Sequence, residues 1–381
     1  MKRRNFLKTG CAAWVLSQQP YALAKVLEPV NAPNHKKLVW VVLRGAMDSL
    51  HAVVPVFDPY LNQHRASLVT PIAENLLPLE RGFGLHPALK YLHNWYQQKQ
   101  MMPVVAVASG YRQRSHFDAQ DYLESGLPQI DQDNGWLGRA MQQKNQQGIA
   151  IARSVPVSMR GNQLSNTWFP SNLPDAEEDL YRALMQMYQP YPEFAERLNQ
   201  GMMTRGSVEM DKAKTRNPKF ELLAKNCGEL LAHSVNTSCA MLEMGGWDTH
   251  NGQIWRLDKQ FSQLDAGLNQ LKLALAEKWR DTIVIVATEF GRTVKVNGTD
   301  GTDHGTASAL FLAGGALNGG KVLGDWPGLA PENLYQNRDL KPTSAINSWL
   351  ATVLHQHWQL NTQQVRAVFP DATIRSEQLL L

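Results

Sequence analysis

Short apolar runs alternate with amphipathic segments along most of the chain. The segment Lys37–Leu43 is apolar at nearly every position, which is typical of a parallel strand covered on both faces. Further strands are predicted at 103–108, 148–152, 239–244, 282–287 and 307–313, and helices at 87–98, 253–278 and 342–355. The repeated order of strand, helix and strand predicts an α/β fold with a mostly parallel sheet and helices on both faces.

One long segment departs from this alternation. Between about 154 and 236 the strand signals fade, and Trp168-Phe169-Pro170, Pro190 and Pro192 punctuate segments of helical character. Residues 25–381 are therefore predicted to form one α/β domain with a mainly helical insertion at about 154–236, packed over the edge of the sheet. Two roles stay open for the insertion. It shapes access to a substrate, or it is a helical layer without contact to any ligand.

The N-terminal residues have the pattern of an export signal. Arg3 and Arg4 precede Phe6-Leu7-Lys8, a short apolar region runs from Cys11 to Leu16, and Ala22-Leu23-Ala24 resembles a cleavage site. Residues 1–24 are predicted to be a twin-arginine signal peptide, so the expected partner in export is the twin-arginine translocase. The mature protein is expected to be periplasmic or secreted. Beyond the signal, no apolar stretch approaches the roughly 20 residues of a membrane span, so no stable membrane anchor is expected.

The net charge changes when the signal is removed. The whole chain has a formal charge of +4, and the four basic residues Lys2, Arg3, Arg4 and Lys8 with no acidic residue among 1–24 account for all of it. A neutral mature chain argues against nucleic acid or an anionic membrane as a partner, because both require a basic surface. Cys227 and Cys239 either pair in an oxidising compartment or stay as buried free thiols.

Two Asp/His clusters follow predicted strands. Asp248 and His250 lie in a glycine-flanked GGWDTH segment, and Asp303 and His304 lie in GTDHG. Carboxylate oxygen and imidazole nitrogen together suit a divalent ion such as zinc or manganese. Because ligands at strand ends converge at one edge of an α/β sheet, the two clusters together predict a metal site. Each cluster alone is more typical of an ordinary turn or a local hydrogen bond.

The motifs also resemble a known family. Six segments occur in a fixed order: LRGAMDSL at 43–50, FGLHPAL at 83–89, SHFDAQ at 115–120, GGWDTH at 245–250, ATEFGR at 287–292 and GTDHG at 301–305. They resemble the bacterial family of exported proteins labelled DUF1501, which is grouped with the alkaline phosphatase and sulfatase superfamily. The resemblance runs from about Lys37 to Leu354.

The resemblance implies a fold and a set of residues. It implies an alkaline-phosphatase-like three-layer α/β/α sandwich whose strand ends hold one or two divalent metal ions. Asp48 matches the early aspartate, and Ser115 falls where a nucleophile is expected. The later ligand sets match Asp248, His250, Asp303 and His304. In that chemistry a metal ion stabilises the serine alkoxide and polarises a phosphoryl or sulfuryl oxygen of a small anionic ester.

Several roles are open. Ser115 is a nucleophile or only a helix N-cap. His116 is a metal ligand, a general acid or base, or a packed histidine. Glu289 is a metal ligand or orients one, and Arg292 pairs with it or grips an anionic substrate. Arg160 in the insertion is a weaker candidate for binding an anion.

The sequence departs from the superfamily pattern at two points. A further C-terminal histidine ligand is absent, because His355 and His357 fall in the predicted closing helix, where a surface role is expected. The spacing of Asp248 and His250 is also tighter than in the phosphatases. These departures leave three functions open: a metal-dependent hydrolase or transferase acting on a phosphate or sulfate ester, a non-catalytic metal- or anion-binding protein, and a structural partner of another exported protein.

Overall fold

The fold is taken from a computed structural model, which describes residues 36–162, 164–170, 177–206 and 217–381. The predicted signal peptide, residues 1–24, lies outside the described residues. The strands are β1 Lys37–Leu43, β2 Val53–Pro55, β3 Leu77–Pro78, β4 Phe83–Leu85, β5 Met101–Ala108, β6 Gln147–Ala150, β7 Ser165–Thr167, β8 Thr237–Met244, β9 Thr282–Ala287, β10 Ser308–Ala313 and β11 Ser344–Ala345.

The main sheet is mixed but mostly parallel. Its eight strands lie in the order β11-β5-β10-β9-β1-β8-β6-β7. Strand β10 runs antiparallel to both of its neighbours, and the other neighbouring pairs are parallel. Strands β2, β4 and β3 form a separate small antiparallel sheet. The predicted mostly parallel sheet is thereby confirmed.

Helices cover both faces of the main sheet. They are α1 Ser49–Ala52, α2 Leu61–Val69, α3 Lys90–Gln97, α4 His116–Ser125, α5 Trp136–Lys144, α6 Glu178–Tyr188, α7 Pro192–Gly206, α8 Phe220–His233, α9 Gln253–Leu275, α10 Ile346–His357 and α11 Thr362–Val368. Val39, Val41 and Leu43 of β1 share a buried cluster with α3, α8 and α9, while Leu38, Trp40 and Val42 share another with α5, α10 and α11. Successive side chains of a strand point to opposite faces, so the protein is the predicted three-layer α/β/α sandwich.

The longest helix shows how the sequence specifies this packing. In α9 the residues Leu257, Phe261, Leu264, Leu268, Leu271 and Leu275 are buried. Their spacing of three and four positions places them on one side of a helix. That side packs against the sheet and against α8, whose own apolar residues include Phe220 and Leu223.

The predicted insertion contributes more to the core than its composition indicated. Its segment Ser165–Thr167 is an edge strand, β7, that pairs with β6 in parallel. Helices α6 and α7 follow, and α8 packs deep in the core with Cys227 fully buried. Strand β7 is only three residues long, which is too short to produce a periodic signal.

The predicted closing helix at 342–355 begins too early. Thr343 donates its backbone N–H to the Ala106 carbonyl at 2.8 Å, and Ser344–Ala345 pair with β5, so these residues extend the sheet. The helix itself is α10, and α11 follows it. The surface role expected for His357 is wrong: its side chain is buried and Nε2 donates to the Lys37 carbonyl at 2.9 Å. His355 is exposed, as expected.

Cys227 and Cys239 are free and buried, and burial raises the pKa of both thiols. Of the two alternatives, buried free cysteines is therefore the one observed. Among the helices of the described residues, none has the length and apolar character needed to cross a membrane.

Candidate metal centre

Strand direction explains why the predicted residues meet. His116 starts α4 after β5, Asp248 and His250 follow β8, and Glu289 and Arg292 follow β9. Parallel strands bring these segments to the same edge of the sheet. His304 precedes β10, and because β10 is antiparallel, its N-terminal end lies at that edge as well.

Three imidazoles and one carboxylate converge there. Nε2 of His304 lies 2.9 Å from Nε2 of His116 and 3.0 Å from Nε2 of His250. Asp248 approaches all three: Oδ1 is 3.0 Å from His250 Nε2 and 3.4 Å from His304 Nε2, and Oδ2 is 3.5 Å from His116 Nε2. His116, Asp248 and His304 offer their ligand atoms within 4.8 Å of one another.

The opposite nitrogen of each ring is fixed by an oxygen acceptor. Nδ1 of His116 lies 2.7 Å from Glu289 Oε1, and Nδ1 of His250 lies 3.0 Å from Asp303 Oδ1. Nδ1 of His304 lies 2.9 Å from the backbone carbonyl of Arg114. A carbonyl or carboxylate oxygen accepts, so Nδ1 is the donor in each ring and Nε2 of the neutral ring is left with a lone pair.

This arrangement fits a cation. The Nε2 atoms of His250 and His304 face each other at 3.0 Å, and with Nδ1 as donor neither neutral ring has a proton to place between them. Three imidazole nitrogens and a carboxylate oxygen form a donor set that suits zinc. The oxygen partners at Nδ1 are the outer contacts that usually orient metal-binding histidines.

Hydrogen bonds shift the pKa of two residues of the cluster, and the shifts favour a protonated His116 when no cation is bound and an ionised Asp248. Burial lowers the pKa of His116, but hydrogen bonds with Asp248 and Glu289 outweigh it and raise that pKa to about 9. Burial also opposes ionisation of Asp248, yet contacts with His116, His304 and Arg292 hold its pKa well below the usual range. The carboxylate is 43 % exposed, so the cluster opens to solvent.

Glu289 orients a histidine. Its side chain is fully buried, and Oε1 accepts hydrogen bonds from His116 Nδ1 and from the Gly45 backbone N–H, the latter at 2.8 Å. Gly45 has φ +121°, and a Cβ there would lie 2.5 Å from the Asp248 nitrogen. Only glycine allows this approach without strain. These contacts are those of a carboxylate that orients His116, one of the two roles open for Glu289.

Arg292 is bound to Asp248 and to Thr302. Its side chain is buried, Nη1 donates to Asp248 Oδ1 at 2.6 Å, and Nε donates to the Thr302 hydroxyl at 3.2 Å. Nη2 donates to the Thr302 carbonyl. With these partners the guanidinium is not available for bidentate binding of an anion. Arg292 therefore pairs with Asp248, and neither the expected substrate contact nor the expected pairing with Glu289 is observed.

Asp48 lies in a buried ion pair apart from the cluster. Its two oxygens accept from Arg65 Nη1 and Nη2 at 3.0 Å each, and Gln253 Nε2 donates to Oδ2 at 2.6 Å. Burial alone would raise the pKa of Asp48, but Arg65 and Gln253 lower it below its usual value. With both oxygens occupied by side-chain donors, the structure places Asp48 in a structural role instead of the expected ligand role.

Asp303 and Ser115 lie next to cluster histidines. Asp303 contacts His250 Nδ1 and accepts from Asn297 Nδ2 at 3.2 Å, so it orients that ring. Ser115 is the half-buried N-cap residue of α4, directly before His116, and its side chain makes no capping hydrogen bond. Arg160 donates to the carbonyls of Val155 and Gln132, a structural role.

Three contributors carry no signal in the sequence. Arg65 and Gln253 hold Asp48, and the Arg114 carbonyl holds His304. Arg114 has φ +61°, and its guanidinium pairs with buried Asp339 at 2.7 Å. From the sequence alone an arginine such as Arg65 is expected at the surface. A contact made by a backbone carbonyl does not depend on residue type, so the sequence does not indicate it.

Fold and cluster together define an α/β sandwich protein with a candidate metal centre at the carboxyl edge of its sheet. Over residues 84–369 the sequence matches the family described as "Protein of unknown function (DUF1501)", and the chain belongs to that family. The expected family is thereby confirmed. No protein of curated function matches the sequence significantly.

Solved structures show distant similarity. Ps i-CgsB in complex with k-i-k-neocarrahexaose has a TM-score of 0.44 at 10% identity, covering 89% of this chain and 75% of that chain. The phosphonate monoester hydrolase of Agrobacterium radiobacter has a TM-score of 0.39 at 9% identity, covering 85% and 74%. The alkaline phosphatase from the Antarctic bacterium TAB5 has a TM-score of 0.37 at 11% identity, covering 76% and 94%.

Proposed function

We propose that this protein is an exported metal-dependent hydrolase or transferase that acts on a phosphate or sulfate ester. The observation that carries the proposal is the convergence of three Nε2 atoms on Asp248, with each Nδ1 bound to an oxygen. The ester class rests on the six ordered motifs that resemble the alkaline phosphatase and sulfatase superfamily. Export by the twin-arginine pathway rests on Arg3 and Arg4.

The ligands of a single divalent ion would be His116, His250, His304 and Asp248. An imidazole-rich set favours zinc over manganese, because manganese prefers oxygen ligands. When bound, such an ion supplies Lewis acidity toward an ester oxygen. Glu289 and Asp303 keep the Nε2 atoms of His116 and His250 directed inward, while Arg292 holds Asp248 through Oδ1.

Ser115 is the proposed nucleophile. Its hydroxyl has no capping partner and precedes ligand His116 in the chain. Attack of Oγ on phosphorus or sulfur would break the bond to the ester oxygen, the hydroxyl proton would pass to that oxygen so that the alcohol leaves, and water would then cleave the serine ester and release the acid. The N-terminus of the ten-residue helix α4 adds N–H groups that favour an anion.

A non-catalytic metal- or anion-binding protein is the second candidate. It is favoured by the position of Asp48, whose oxygens are bound to Arg65 and Gln253, since the superfamily pattern expects a ligand there. It is favoured also by His357, which donates to the Lys37 carbonyl in the core. Among the described residues the convergent set therefore supports one ion.

Metal analysis of the purified mature protein tests the centre. Wild-type protein dialysed against zinc is expected to hold about one ion per chain, because the four proposed ligands converge at one place and zinc usually takes four. Asp303→Ala with His304→Ala should lose it and unfold at lower temperature, since an ion bound only to the native state stabilises that state. His233→Ala, on the exposed end of α8, is the matched control. Stoichiometric zinc in the double variant would refute the centre.

Activity separates the two candidates. With aryl phosphate and aryl sulfate esters, the zinc-loaded wild type is expected to turn over one class, and Ser115→Ala should abolish turnover while retaining zinc. Zinc and anion binding without turnover of either class would establish the binding protein and exclude the enzyme.

A further inference from the structure

Binding of an anionic ester at the candidate centre would be favoured by a cationic side chain that is not already paired with a protein carboxylate or carbonyl. Most arginines nearby are bound by protein acceptors: Arg65 by Asp48, Arg114 by Asp339, Arg292 by Asp248 and Arg338 by the carbonyl of His304. Arg44, the first residue after β1, differs from them. Its side chain is 41% exposed, and its carboxylate contact is a single 3.6 Å approach of Nη1 to Glu243.

The backbone of Arg44 lies between the supports of two proposed ligands. The next residue, Gly45, donates its N–H to Glu289 at 2.8 Å, and Glu289 holds His116. On the other side, the Trp247 N–H donates to the Arg44 carbonyl at 3.4 Å, one residue before Asp248. Arg44 therefore belongs to the rim between His116 and Asp248.

The Arg44 side chain is held by an exposed aromatic ring. Its guanidinium carbon lies 5.4 Å from the ring centroid of Phe117, the residue that follows His116. Phe117 is 71% exposed, so one face of its ring is open to the guanidinium. A guanidinium over an aromatic face keeps its N–H groups, which lie in its own plane, available to an acceptor.

The contact with Glu243 leaves most N–H groups of the Arg44 guanidinium without a carboxylate partner. Glu243 is itself 37% exposed, and its Oε2 accepts from Gln120 at 2.8 Å. An exposed pair at this distance is weak and is screened by salt, so a bound oxyanion can replace or join it. Arginine offers five N–H donors in a planar fork that matches two oxygens of a tetrahedral anion.

We infer that Arg44, supported by Phe117, binds the non-bridging oxygens of a tetrahedral oxyanion at the rim of the candidate metal centre. The inference rests on the proposed function for its substrate class, the phosphate or sulfate ester. It assigns to Arg44 the anion contact that the sequence suggested for Arg292.

Equilibrium dialysis with radiolabelled inorganic phosphate tests this assignment, and labelled sulfate in parallel identifies the preferred anion. Wild type, Arg44→Gln, Arg44→Lys, Phe117→Leu and the control Arg280→Gln are compared, each with zinc and after chelation. Arg280 is 85% exposed on its side chain, so its replacement removes the same charge far from any packing.

Arg44→Gln should weaken phosphate binding about tenfold or more, the loss expected for one charge-assisted contact. Arg44→Lys should fall between wild type and Arg44→Gln, because it keeps the charge and loses the fork. Phe117→Leu should weaken binding about threefold through the lost ring face. Arg280→Gln should stay within about twofold of wild type, and zinc content should be equal in all five proteins.

The outcomes separate the two proposals. If Arg44→Gln matches Arg280→Gln, or wild type binds neither anion, the assignment of Arg44 is overturned even where zinc is held. If wild type holds no zinc but binds phosphate in a manner that depends on Arg44, the assignment stands and the metal-dependent function fails.

Discussion

His51 gives a prediction whose size follows from the structure. The side chain is fully buried in α1, its ring centroid lies 5.0 Å from that of His86, and Phe261 lies 6.5 Å away. Neither ring nitrogen has a hydrogen-bond partner among the described residues. Burial lowers the pKa of His51 from 6.5 to about 3, against the attraction of Asp48. Replacing it with phenylalanine keeps a ring of similar size and removes the titrating group.

The pH dependence has a definite sign. The folded-state pKa lies below the unfolded-state value, so the unfolded chain takes up a proton first as the pH falls. The contribution of neutral His51 to the unfolding free energy is fully present above about pH 6.5. It is lost progressively as the pH falls toward 3. Between pH 7 and pH 5 only the unfolded state titrates, and at 1.36 kcal/mol per pH unit the loss is about 2 kcal/mol.

Urea unfolding at pH 7 and pH 5 in the presence of a chelator measures this loss without any metal contribution. The drop in unfolding free energy between the two pH values should be about 2 kcal/mol smaller for His51→Phe than for wild type. His233→Gln, at an exposed position, should show the wild-type drop. Equal drops for wild type and His51→Phe would refute a buried neutral histidine at this position.

Three further changes have defined outcomes. Replacing Arg3 and Arg4 with lysine should leave the precursor in the cytoplasm, as cell fractionation would reveal, and normal periplasmic recovery would contradict the signal assignment. Arg65→Met should lower the unfolding free energy by about 3–5 kcal/mol in urea, because it leaves Asp48 buried and unpaired, and a loss below about 1 kcal/mol would contradict that account. Ser115→Ala should lower the unfolding free energy by less than about 0.5 kcal/mol, because its hydroxyl makes no capping bond; a loss of about 1–2 kcal/mol would show that it caps α4 in solution.

The sheet could be predicted where burial dictates sequence. Strand β1 has the predicted bounds because a strand covered on both faces must be continuously apolar. The reversed direction of β10 and the three-residue strands β2 and β4 were beyond prediction. Strand direction depends on distant partners, and three residues show no period.

The site could be predicted in part. The structure brings Asp248, His250 and His304 together, as strand-end placement suggested, and adds His116 from among its open roles. The positions of Asp48 and Arg292 could not be foreseen, because each is decided by a partner remote in sequence. Arg65 takes both oxygens of Asp48, and Arg292 turns to Asp248 across 44 positions.

The central place of β1 in the sheet constrains how the chain is made. This strand ends at residue 43, yet its two neighbours, β8 and β9, end at residues 244 and 287. At about 5–20 residues per second, ribosomal synthesis leaves roughly 12–50 s between the first strand and its second partner. Until β8 is made, Lys37–Leu43 is an apolar segment with neither partner strand, and until β9 is made one of its edges stays unpaired. Such edges pair readily with other chains. The nascent chain must therefore keep this segment covered, or held by a chaperone, until translation has passed residue 287.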